Sequence, residues 1–255
     1  MQKYGQHFLI SENVIRQIVD AALLLKAAQL VEIGPGKGAL TQRLIERGEQ
    51  NFTAVEIDPK MVQYLRQTLP PQAKVQLKEA DFLKTDLASL VTRPALFVSN
   101  LPYIDAADIL DKVLSFPLFH AAVFMFQKEQ AQRIRARAQE EGYGPLSVFS
   151  QLRARISPIC KVGRGCFNPP PKVESMVLAF EKKSPWLVPL GDWQRFKKMV
   201  QAAFLHRRKT LANAWSLGGY EPQKIQHALQ ALSLAPSVRP EQVPPETYAR
   251  LFALL

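Results

Sequence analysis

Through the first two-thirds of the 255-residue chain, short β-rich apolar runs alternate with amphipathic patterns, and this alternation constrains the fold most. The runs at 29–34, 52–58, 74–81, 95–100 and 121–127 read as strands. Between them, 39–48, 59–69, 105–115 and 128–138 carry helical patterns. Strands alternating with helices assemble into a parallel sheet covered by helices. Two further runs, 154–162 and 173–181, follow a helical stretch and are joined by a Pro-rich loop without room for a helix. They require an antiparallel hairpin at one end of the sheet. The expected fold class is α/β: a Rossmann-like, seven-stranded, mostly parallel sheet with an antiparallel final hairpin, plus a small all-α C-terminal domain.

After residue 182 the strand signals stop, and amphipathic segments punctuated by Pro and Gly run to the end. The expected domains are 1–184 and 185–255. Charge divides unevenly: residues 1–150 hold 17 Lys/Arg against 16 Asp/Glu, while 151–255 hold 16 against 6. With a net charge of +11, that asymmetry suggests a docking face for nucleic acid, with an anionic membrane surface as the rival. No run reaches the ~18 apolar residues of a spanning helix. The N-terminus has no apolar core of a secretion signal, so a cytoplasmic location is expected. Cys160 and Cys166 lack metal spacing, the four histidines are scattered, and neither a metal site nor a structural disulfide is expected.

The segment VEIGPGKGALT places Gly34, Gly36 and Gly38 between the first strand and its helix, where the backbone must turn sharply and approach a ligand. Glu56 ends the second strand, 20 residues after Gly36, where a carboxylate accepts from ribose hydroxyls. Asp81 ends the third strand, positioned for the exocyclic amine of an adenine. Either acid alone reads as a helix cap or a solvated turn. Glycine turn, Glu and Asp in sequence suit S-adenosylmethionine better than a dinucleotide.

The fourth strand ends in Asn100-Leu101-Pro102-Tyr103. The N6 amine of adenine is a poor nucleophile because its lone pair is delocalised into the ring. The Asn100 side-chain oxygen and a backbone carbonyl held by Pro102 can accept from its two N–H groups and turn the lone pair outward. Tyr103 can stack on the base, worth ~1–3 kcal/mol. Neither cysteine lies in this motif, which argues against a cysteine-nucleophile cytosine mechanism.

On these residues the chain resembles the rRNA adenine N6-dimethyltransferases of the KsgA type, relatives of the Erm methyltransferases. GQHFL (5–9), VEIGPGKGALT, EID (56–58), NLPY, FQKEQAQRI (126–134), YGPLSV (143–148), FNPPPKVES (167–175) and AFLHRRKTL (203–211) all fall in family order. The last is more similar to KsgA than to Erm.

The resemblance implies a class I methyltransferase with S-adenosylmethionine as cofactor. It implies that His7 and Leu9 contact the cofactor, Gly34 lies beside its methionine part, Glu56 holds its ribose and Asp81 reads its adenine. Asn100 would lie between cofactor and target amine. Tyr103 and Phe167 would sandwich a flipped adenine, the latter held by a stiff Pro-rich loop. The catalytic set is thus Asn100, Leu101, Pro102, Tyr103 and Phe167. The implied substrate is 16S rRNA in a partly assembled small ribosomal subunit, with two adjacent adenosines each methylated twice.

RIRARA (133–138) is expected to put Arg133 and Arg137 on one helix face, and HRRKT (206–210) adds Arg207, Arg208 and Lys209. Phosphate contact is expected at both clusters. Ile104 departs from the family pattern, where Asn is common, and altered loop packing is expected there. The alternatives are an Erm-type large-subunit methyltransferase, a DNA adenine methylase, and a factor acting mainly as a small-subunit assembly checkpoint. A monomer is expected.

Overall fold

A computed structural model describes the protein over residues 7–49, 51–206 and 208–255. Arg207 and the start of the GQHFL motif, Gly5 and Gln6, lie outside the described residues. In chain order come β1 (Phe8–Leu9), α1 (Glu12–Leu24), β2 (Gln29–Ile33), α2 (Ala39–Glu46), β3 (Thr53–Glu56) and α3 (Pro59–Thr68). They are followed by β4 (Gln76–Glu79), β5 (Ala95–Asn100), α4 (Ala106–Leu114), β6 (Phe119–Gln127) and α5 (Lys128–Arg135). Next are α6 (Pro145–Arg153), β7 (Ala154–Val162), β8 (Phe167–Asn168) and β9 (Ser175–Lys182). The chain ends with α7 (Trp193–Leu205), α8 (Leu211–Leu217), α9 (Pro222–Ala231) and α10 (Pro245–Phe252).

Seven strands form one sheet in the order β4-β3-β2-β5-β6-β9-β7. The first five strands in this order are parallel, and β9 runs antiparallel to β6 from Ala121↔Glu181 to Gln127↔Ser175. The expected α/β class is what forms. Central strands such as ALFVS of β5 are buried throughout, as a parallel sheet covered on both faces requires. The two edges are wetter. β4 has no buried residue, and β7 carries Pro158, whose missing N–H an edge strand tolerates.

Three elements were not anticipated. Helix α1 buries Val14, Ile15, Ile18, Val19 and Ala22, a spacing of three and four that presents one apolar face to the core. Strands β1 and β8 pair antiparallel, Phe8↔Asn168 and Leu9↔Phe167, and the Ile10 N–H donates to the Cys166 carbonyl at 2.8 Å.

The chain divides into two compact units, residues 1–131 with 155–182, and residues 132–154 with 183–255. The first holds the sheet. The second is helical, and it includes α6 as well as the C-terminal segments. Its core gathers Trp193, Phe196, Trp215 and Tyr248. Arg153 at the end of α6 is 1% exposed, with its guanidinium 3.7 Å from the Trp193 ring centre and 4.2 Å from that of Trp186. Its Nη1 donates to the Val188 carbonyl at 3.0 Å. A buried charge is sustained by such partners.

The shared helix face expected for Arg133 and Arg137 does not form, because α5 stops at Arg135. The Gln151 side chain donates to the carbonyls of Ile134 and Ala136 (3.1 and 2.8 Å), and Ser147 Oγ donates to that of Arg133. Those carbonyls are satisfied by α6, and the chain leaves the helix.

Candidate active site

The sheet's C-terminal edge follows from the parallel strands: every loop leaving β2, β3 and β5 emerges on the same side. There a cleft of about 550 Å³ is lined by His7, Leu9, Gly34, Glu56, Asn100, Leu101, Pro102 and Tyr103, bringing together eight of the ten expected catalytic and cofactor residues. All belong to the first unit.

The glycine turn forms one wall. Gly36 has φ +56°, which favours glycine, and a Cβ there would lie 3.2 Å from the Phe8 ring, so the ring would have to give by a few tenths of an ångström. Lys37 reaches back over that ring, its Nζ 4.8 Å from the centre. Gly38 starts α2 at φ +81°, and a Cβ would lie 2.8 Å from Leu65 Cδ2.

Glu56 is 2% exposed, and each carboxylate oxygen is held by a backbone N–H. Gly36 donates to Oε2 and Asp58 to Oε1, both at 2.9 Å. Burial raises its pKa, and these bonds partly offset the rise. Both oxygens keep lone pairs for further donors.

Glu32 also lines the cleft and was missed from sequence. It is 1% exposed and accepts from Thr41 Oγ1 at 2.7 Å. Burial pushes its carboxyl up to about 8; the Thr41 bond opposes the rise, and the charge of Glu56 adds to it. Its signal was an acid inside the apolar run LVEIG. Gln127, at the end of β6, also reaches the cleft.

At the end of β5, Ser99 is buried and donates to the Ile33 carbonyl at 2.6 Å, binding β5 to β2 just before the glycine turn. Asn100 Nδ2 donates to the His7 carbonyl at 3.2 Å. This commits the amide nitrogen to the residue preceding β1 and leaves Oδ1 as the acceptor end. His7 is itself held, donating from Nδ1 to the Pro169 carbonyl at 2.8 Å. Its ring lies 5.9 Å from that of Tyr103, centre to centre. Tyr103 OH and Ser175 Oγ share a hydrogen bond of 2.8 Å, fixing the phenol ring at the cleft. Burial raises the Tyr103 pKa above that of free tyrosine.

The other two expected residues sit apart. Asp81 lies beyond β4 and does not line the cleft; its Oδ1 accepts from the Leu83 N–H at 2.9 Å. Lys112 of α4 braces the same turn, donating to the Leu83 and Thr85 carbonyls at 2.7 and 2.6 Å, and burial lowers its pKa. Phe167 differs from the expected open stacking surface. It is 3% exposed and packs in the core beside its strand partner Leu9.

Of the expected cationic contacts, Arg133, Arg137, Arg208 and Lys209 are exposed and lie in the second unit. Arg208 and Lys209 occupy the link between α7 and α8, just before Thr210, which caps α8. No helix of the described residues is long and apolar enough to cross a membrane. Among the described residues there is no cluster of metal-ligating side chains.

The family model described as ribosomal RNA adenine dimethylase matches residues 1–255. The chain is 38% identical to the ribosomal RNA small subunit methyltransferase A of Acidobacterium capsulatum, over 99% of this chain and 90% of that protein. It is 35% identical to the protein of the same name from Lactococcus lactis, over 98% and 88%. Among solved structures, the dimethyladenosine transferase of Plasmodium falciparum superposes with a TM-score of 0.82 at 23% identity, covering 97% of this chain and 96% of that one. The 23S rRNA methyltransferase ErmE gives 0.74 at 28% identity, covering 97% and 99%. With its whole length matched and relatives well above 30% identity from end to end, this chain belongs to the ribosomal RNA adenine dimethylase family.

Proposed function

We propose that the protein dimethylates the N6 amines of two adjacent adenosines near the 3′ end of 16S rRNA, within the small ribosomal subunit, using S-adenosylmethionine. The observation that carries this reading is the Asn100 amide, its nitrogen held by the His7 carbonyl and its oxygen left to accept, on a cleft wall beside a tethered tyrosine.

The cleft suits a cationic nucleoside. Two buried carboxyl groups line it, Glu32 and Glu56, and the glycine turn lets backbone close on a ligand. S-adenosylmethionine, when bound, supplies an activated methyl group. His7, Leu9, Gly34 and Glu56 hold the cofactor, with Glu56 accepting from the ribose and Asp81 reading the adenine. Asp81 Oδ1 accepts from the Leu83 N–H in its own loop, and the carboxylate keeps lone pairs with which to accept from the ligand.

Asn100 Oδ1 and the Leu101 carbonyl, its peptide stiffened by Pro102, accept from the target amine and orient its lone pair. Tyr103 stacks on the base. Its raised pKa keeps it a neutral phenol, so it positions rather than removes a proton. Phe167 supplies the second stacking face once its ring leaves the core beside Leu9. The sheet-bearing unit is the catalytic domain, and the helical unit, 132–154 with 183–255 rather than 185–255 alone, is the RNA-binding domain, with Arg133, Arg137, Arg207, Arg208 and Lys209 on phosphates. The protein acts as a monomer in the cytoplasm.

The test incubates the protein and labelled S-adenosylmethionine with small subunits, large subunits and DNA, each from a methylation-deficient source. Label on adenine N6 of the small subunit alone is expected. Label confined to the large subunit would make this an Erm-type enzyme. Cofactor binding without label anywhere would favour an assembly factor.

A further inference from the structure

Ile104 is the most exposed large apolar side chain among the described residues, at 89%, and it lines the mouth of the cleft. Its backbone is not free to hide it. The turn that carries it is closed by the Asp105 N–H donating to the Pro102 carbonyl at 3.2 Å, and Asp105 then begins α4, accepting from the Ile109 N–H at 2.9 Å. On the preceding residue, Tyr103 is held inward by Ser175. Adjacent positions of one fixed turn therefore hold an aromatic ring in the cleft and an aliphatic side chain out in solvent. An apolar side chain held in water gains only when something apolar covers it.

Resting on the adenine reading above, we infer that Ile104 is a wedge: it enters the RNA base stack at the gap left when the target adenosine turns into the cleft toward Tyr103. Extruding a base leaves two neighbouring faces unstacked. Aliphatic side chains fill such gaps between base steps in other nucleic-acid complexes. A sec-butyl group one residue from the stacking tyrosine is placed to cover the exposed neighbour while the amine is presented to Asn100. Ile104 is then a positioning residue, acting on the RNA rather than on the reacting atoms.

The experiment compares wild type with Ile104→Met, Ile104→Ala and Ile104→Asn. Single-turnover methyl transfer is measured at saturating cofactor into methylation-deficient small subunits, with dissociation constants for S-adenosylmethionine and thermal midpoints alongside. The side chain is exposed, so all variants are expected to keep wild-type thermal midpoints and cofactor affinity. Met is expected to hold the rate within twofold, while Ala and Asn lose about tenfold or more. Rates within twofold across all four proteins would overturn the wedge. So would a loss matched by weaker cofactor binding, or a rate for Asn equal to that for Met. If wild type itself transfers no methyl to the subunit, the adenine reading fails, a result separable from any ordering among the variants.

Discussion

The two compact units differ most in charge. The sheet-bearing unit holds 19 Lys/Arg against 16 Asp/Glu, and the helical unit 14 against 6 in fewer residues. The first buries carboxyl groups at a cleft, Glu32 and Glu56, whereas the second buries an arginine between tryptophans and leaves most of its other described arginines and lysines exposed. On the proposed reading a sulfonium cofactor meets the carboxyl-lined cleft of the first unit and RNA phosphates meet the cations of the second, two ligands that need opposite fields.

The largest effect that would sharpen this contrast is loss of chemistry without loss of docking. Asn100→Ala should lower single-turnover methyl transfer by about 100- to 1000-fold, with subunit affinity within a few-fold of wild type. Equal losses in both would show that the cleft also carries docking. The reciprocal change neutralises Arg207, Arg208 and Lys209 together. Subunit binding should weaken about tenfold, and the slope of log affinity against log salt should fall by about 2, while the rate at saturating subunit stays. An unchanged slope would mean these cations face only solvent.

Phe167→Leu probes the one aromatic whose placement differed from expectation. A buried large-to-small swap of this size should cost about 1–3 kcal/mol of stability. Loss of a stacking face should still lower kcat/KM about tenfold. If kcat/KM follows stability alone, Phe167 is a core residue and Tyr103 stacks unaided.

The smallest effect concerns Glu32. Its folded pKa, about 8, lies above the unfolded value, so the folded state retains a proton that the unfolded chain has released. Its contribution therefore lowers stability as pH rises from about 4.5 to 8. Glu32→Gln should flatten the stability profile across that window, as read by urea unfolding. Cofactor affinity in wild type should rise toward pH 8 as Glu32 ionises against a cation, and Glu32→Gln should lose that part of the rise. Parallel profiles would remove Glu32 from the site.

How much was legible follows from the range of each interaction. The class and the number of strands were readable because strand and helix periods are local, and parallel strand ends necessarily gather Gly34, Glu56 and Asn100 at one edge; the order of the strands was not, since it rests on pairings between distant segments. The period of α1 was also present in the sequence, as Val14, Ile15, Ile18 and Val19, but was passed over beside the motif that precedes it. A two-residue strand has no period at all, so β1 and β8 left no signal. The contact of Asn100 with His7 spans 93 residues, and the burial of Phe167 depends on the same pairing. The end of α5 was hidden because RIRARA continues a helical pattern; only Gln151 and Ser147, folded against it, show where its carbonyls are taken.

The pairing of β1 with β8 has a thermodynamic consequence. One strand carries Phe8 and Leu9 over the cofactor cleft, and the other carries Phe167 from the loop assigned to the target base. On the proposed reading both ligands lean on this clasp, so their affinities are coupled. Whatever factor cofactor occupancy contributes to RNA affinity, RNA must return the same factor to cofactor affinity.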